Sequence, residues 1–141
     1  MTQIKERNYY PLSFIPAFSG QVAELVEILE AQLKAFSPAK NKPHVLDDQI
    51  INRASSAFKA NAEYIQLYQE QTDKWMREAQ TETHRQALSL LNDKLSKARK
   101  LNVELVALVE ELGQGTIDKV LAKDDLEFAL DFLSGKSVFD I

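Results

Sequence analysis

The sequence predicts an all-α fold: an elongated helical bundle built on a long antiparallel helical hairpin, with a shorter N-terminal helix and one or two C-terminal helices. Three observations carry this. The four Gly and four Pro among 141 residues are under half the usual share of about 12%, and a β-rich domain needs more turns than they supply. Leu and Ala number 33 against 16 for Val and Ile, a balance that favours helix. None of the eight helix breakers falls between residues 44 and 112.

The elements follow in order along one helical domain. Residues 1–15 read as an aromatic, proline-containing arm, because Pro11 and Pro16 interrupt any regular helix there. A helix over 16–36 carries Val22, Leu25, Val26, Leu29, Leu33 and Phe36 at helical spacing, and Ser37-Pro38 ends it. Lys40 to Pro43 is a polar connector. Asp47 is placed to cap the next helix, with Asp48 favourable against its dipole.

A single straight helix over the breaker-free stretch would run about 100 Å. Two seams alternate in steps of three and four within it. One runs Ile51, Ala54, Phe58, Asn61, Ile65, Tyr68, Thr72, Trp75, Ala79; the other Leu88, Leu91, Leu95, Ala98, Asn102, Leu105, Val109, Leu112. Between them Gln80 to Gln86 is wholly polar, and Thr83 with Gln86 has the spacing of a capping box. The expectation is therefore two long helices, 47–80 and 84–112. Thr116 is a candidate cap for a helical segment over 116–134, with Asp124 and Glu127 offering a later start. Gly135 is placed to end it, leaving 135–141 as a tail.

With the turn between Thr81 and Glu82, Asn61 faces Asn102, the polar residue of each seam, and Phe58 faces Leu105. A buried Asn pair penalises slipped registers, so both residues are expected to set register. The alternative puts both at the seam edge, bonded to water. An antiparallel homodimer of unbroken helices would make the same contacts between chains.

Composition excludes several functions. With no Cys there is no disulfide, thiol nucleophile or Cys-based zinc site, which fits a reducing cytoplasm. A net charge of −4 has the wrong sign for a strong nucleic-acid binder. No unbroken apolar run approaches the roughly 20 residues of a spanning helix, and no cleavage site follows the Tyr9–Phe18 stretch. The expectation is a cytoplasmic protein without a transmembrane segment. His44 and His84 lie in no metal-ligand pattern and no Gly-rich phosphate loop is present, so no metal or cofactor is expected.

Lys94, Lys97, Arg99 and Lys100 do not share one helix face, and no aromatic lies near them to stack a base. Asp124, Asp125, Glu127 and Asp131 read as an acidic helix start and a solvated face. Arg77 and His84, with six residues between them, superficially resemble the Arg-x4–6-His pattern of HEPN-type helical ribonucleases. The resemblance implies a pair that positions and protonates a scissile phosphate. Glu78, however, follows the Arg where that family prefers Asn, Asp or His.

Seven of the twelve aromatics gather near the ends: Tyr9, Tyr10, Phe14, Phe18, Phe128, Phe132 and Phe139. Either the arm packs over the end of its own bundle, against Phe128 and Phe132, or Tyr9, Tyr10, Phe14, Phe18 and Phe139 dock onto another subunit or a partner. The preferred reading is a non-enzymatic protein–protein interaction module, a small adaptor, regulator or structural subunit. A ribonuclease using Arg77 and His84, and an amphipathic coat on an apolar surface, are the alternatives.

Overall fold

A computed structural model describes residues 9–133, apart from the side chains of Pro43, Asp124, Asp125, 127–129 and 131–133. Phe139, the tail at 135–141, and the side chains of Phe128 and Phe132 thus lie outside the described residues. Four α-helices follow in order: α1 (Ile15–Phe36), α2 (Asp48–Glu78), α3 (Glu82–Gly113) and α4 (Ile117–Leu133). Short 3-10 turns at Leu12–Phe14, Ser37–Asn41 and Pro43–Val45 lead into α1 and join it to α2. Among the described residues there is no strand.

The all-α bundle on a long hairpin is what the structure shows. α2 and α3 pack antiparallel along their length, and α1 lies against α3. Phe18 of α1 meets Trp75 late in α2, and Phe36 meets Phe58 early in it, so α1 and α2 run in opposite directions. α1 therefore runs parallel to α3. All eight residues of the second seam are buried, with Ile51, Phe58, Ile65, Thr72 and Trp75 of the first and Ile15, Val22, Val26 and Leu29 of α1. α4 does not extend this bundle as a full fourth helix. It contacts the Pro43–Val45 turn and α2, at the open end of the hairpin.

That open end is tied by polar groups. Asp47 caps α2 by accepting from the Ile50 N–H at 2.8 Å, as expected. Thr116 accepts from the Lys119 N–H at 3.3 Å and donates to Asp48 Oδ1 at 2.7 Å. Asp118 Oδ2 in turn accepts from the Asp48 N–H at 2.7 Å, and the Leu46 carbonyl just before α2 accepts from the Ile117 N–H at 2.8 Å, so a free N–H at each helix start is met from the other. A Cβ on Gly113 would come within 3.3 Å of Ile51 Cγ2, a closeness that suits glycine where α3 ends beside α2.

The closed end corrects the expected register. Thr81, not Thr83, caps α3: its hydroxyl accepts from the His84 N–H at 3.1 Å. α2 stops at Glu78, where Ala79 turns to extended backbone, and α3 starts at Glu82. The turn is thus earlier than expected, centred on Gln80. Asn102 now lies against Phe58, and its Nδ2 donates to the Phe58 carbonyl at 2.8 Å. The Asn61–Asn102 pair does not form; Asn102 is buried and Asn61 half-buried.

Candidate functional site

The Tyr9–Phe14 arm folds back on the closed end, far from α4. It is held there through the main chain of Tyr10. Its N–H donates to Gln71 Oε1 at 2.7 Å, and its carbonyl accepts from the Trp75 indole N–H at 2.7 Å. Gln71 and Trp75 are four residues apart on α2, so they stand one above the other on the same face. Gln71 is 4% exposed and Trp75 fully buried.

Rings complete the attachment. Tyr10 lies 5.0 Å from Phe14 and 5.5 Å from Phe18, centroid to centroid. Phe18 sits edge-on to Trp75 at 4.9 Å and to Tyr68 at 5.3 Å. Pairs of this kind contribute about 0.5–1.5 kcal/mol each beyond their buried area. Lys74 Nζ stands 5.3 Å over the Tyr9 ring while pairing with Glu78 at 2.6 Å. The arm packs against its own chain, while its rings at Tyr9, Tyr10 and Phe14 stay partly exposed. The cover comes from Phe18, Tyr68 and Trp75, whereas the expected partner helix, α4, stands at the other end.

Beside the arm a groove of about 540 Å³ opens between α1 and α2. Tyr9, Tyr10 and Phe14 of the arm, Ala17, Phe18 and Gln21 of α1, and Tyr64, Leu67, Tyr68, Glu70 and Gln71 of α2 line it. The Tyr68 hydroxyl donates to Gln21 Oε1 at 2.8 Å and bridges the two helices. Burial, with Tyr64 beside it, pushes the Tyr68 phenol above its ordinary pKa, so it remains a neutral donor. The large apolar walls face solvent: Tyr10 is 44%, Leu67 51% and Tyr64 60% exposed.

No known protein family, characterised protein or solved structure matches this chain. The site has to be read from its own chemistry.

Arg77 is exposed in the last turn of α2, and His84 is half-buried in the first turn of α3, across the three-residue turn at 79–81. Neither lines the groove. Among the described residues no three His, Asp or Glu gather as a metal-ligand set. The basic residues of α3 are dispersed: Lys97 pairs with Glu30 at 2.9 Å, and Arg99 donates to Gln69 at 3.1 Å. The segment Leu12–Asn41 is long and apolar enough, by length and composition, to cross a membrane. Here 28% of that apolar window is buried, and α1 puts Ile15, Val22, Val26 and Leu29 into the core. A window average does not need the unbroken apolar run sought in the sequence.

Tyr9, Tyr10, Phe14 and Phe18 were singled out by composition, and the structure brings all four together. Gln71, Tyr64, Leu67 and Tyr68 were not. A signal for two of them was present: Ala57, Ala60, Tyr64 and Leu67 form a second stripe at seam spacing, beside the buried one.

Proposed function

We propose that the chain is a non-enzymatic protein–protein interaction module that receives its partner in the groove between the arm, α1 and α2. The observation behind this reading is the clustering of Tyr9, Tyr10, Phe14, Tyr64 and Leu67, all at least two-fifths exposed, around that single groove. Contiguous apolar surface of this kind marks binding sites, and Tyr and Phe are enriched at interface cores.

The test is site-specific photo-crosslinking in cells with the full chain. A photoreactive residue at Leu67 should give discrete protein adducts that disappear with Tyr64→Lys. The same residue at Leu90, exposed on α3 and outside the groove, should not give them. Absence of adducts at Leu67, or an identical pattern at Leu90, contradicts the reading. An adduct of twice the chain mass identifies a second copy as the partner.

A further inference from the structure

The arm shows how main chain is read at this end of the bundle. Gln71 Oε1 supplies one acceptor and the Trp75 indole one donor, matched to the N–H and carbonyl of a single residue. Every amino acid but proline has those two groups, so this contact selects main chain rather than side chain. Pro11 follows Tyr10, and a residue before proline is biased into the extended region the contact needs. Selectivity then comes from Phe18, whose ring packs against the Tyr10 ring.

The arm satisfies the site incompletely. With Oε1 engaged, Gln71 Nε2 is buried and finds no partner among the described residues. Burying an unpaired amide donor offsets part of what the two hydrogen bonds return. The groove alongside is only partly filled, because Tyr9, Tyr10 and Phe14 stay half exposed on its wall. A tether keeps such a ligand at a local concentration in the millimolar range, so a modest contact suffices to hold it.

We infer that Gln71, Trp75 and Phe18 form a peptide-binding site for an extended segment with an aromatic residue directly before proline, and that Tyr10-Pro11 is its displaceable, tethered occupant. The inference rests on the interaction-module reading and names the chemistry of the partner. A partner segment of this type takes the two main-chain bonds from Tyr10 and fills the groove along Tyr64 and Leu67. The freed arm then uncovers its own rings for further contact.

The test uses the full-length chain carrying Tyr10→Asp, which removes the ring from Phe14 and Phe18 and leaves the α2 groups in place. The probe is a fluorescein-labelled peptide Asn-Tyr-Tyr-Pro-Leu-Ser-Phe, followed by anisotropy. Saturable binding is expected, at least about tenfold tighter than to the wild-type chain, where the tethered arm competes. Adding Gln71→Ala should abolish it, and a peptide with Ser in place of both Tyr should not bind. The site is overturned if the Tyr10→Asp chain keeps wild-type helicity and the peptide does not saturate, or if Gln71→Ala leaves binding unchanged. Should Tyr10→Asp lose helicity, Tyr10→Ser carries the same comparison. Peptide failure with Leu67 crosslinks intact removes this site and leaves the module reading standing; loss of the crosslinks alone does the reverse.

Discussion

The indole N–H of Trp75 donates to the main-chain carbonyl of Tyr10 at 2.7 Å, across 65 residues of sequence. Four residues earlier on α2, Gln71 accepts from the N–H of the same Tyr10. One residue of the arm therefore has both main-chain groups satisfied by side chains of one helix face. This places the arm and the aromatic groove at the closed end of the hairpin.

Gln71→Met tests that balance. It deletes a hydrogen bond worth about 1 kcal/mol and leaves the part-buried Tyr10 N–H without its acceptor, but it also removes the buried unpaired amide, which costs about 1–3 kcal/mol. The two orphaned groups offset each other, so urea unfolding should show stability within about 1 kcal/mol of wild type. Acrylamide should nevertheless quench Trp75 more readily, because the arm is held by one bond instead of two. A loss above about 2 kcal/mol contradicts the assignment.

Asn102→Leu separates two accounts of the buried amide. Asn102 Nδ2 bonds the Phe58 carbonyl, while its Oδ1 is buried without a partner. Replacement removes one hydrogen bond and one orphaned acceptor and adds apolar area, so a gain of about 1 kcal/mol is expected. Light scattering should show no change in oligomer distribution. A paired amide would discriminate among registers, but every residue offers a backbone carbonyl. Broadened oligomers after substitution would restore a register role.

Thr81→Ala should cost about 1 kcal/mol, the usual loss of an N-cap hydroxyl. Thr83→Ala, already inside α3 and exposed, should stay within about 0.5 kcal/mol. Chemical unfolding of the two variants decides where the second helix begins.

Asp48 makes the α2–α4 junction sensitive to acid. The Thr116 hydroxyl, and after it Lys119, hold its carboxyl below the ordinary value of 3.8, against a small opposing effect of burial. A folded-state pKa below the unfolded one contributes stability above about pH 4, lost as pH falls through the folded value. Amide exchange in the first turn of α4 should accelerate below that pH. In Asp48→Asn it should already be faster at neutral pH and respond less to acid.

The buried seams were legible because helical packing writes itself as spacing: Leu88 through Leu112 occupy the positions their periodicity assigns. The turn was less legible, since Thr81 and Thr83 are equally competent caps and only packing chooses between them. On the buried side of α2 the seam spacing takes in Thr72 but not Gln71, which was hidden for a different reason. Thr72 donates to the Tyr68 carbonyl at 2.8 Å and so can be buried, and Gln71 is matched by a main-chain N–H 61 residues away. No local pattern encodes a bond from a side chain to a distant backbone. The arm's aromatics announced that they need cover, but not that α2 supplies it.

The central claim is that Tyr10 docks on Gln71 and Trp75 of its own chain. Because the sequence has one Trp, its indole proton gives a single resonance. In uniformly labelled wild-type protein this account predicts slow solvent exchange of that proton. It also predicts nuclear Overhauser contacts to the α-protons of Tyr10 and Pro11 that persist on dilution. A rapidly exchanging indole with no contact to either residue would contradict it.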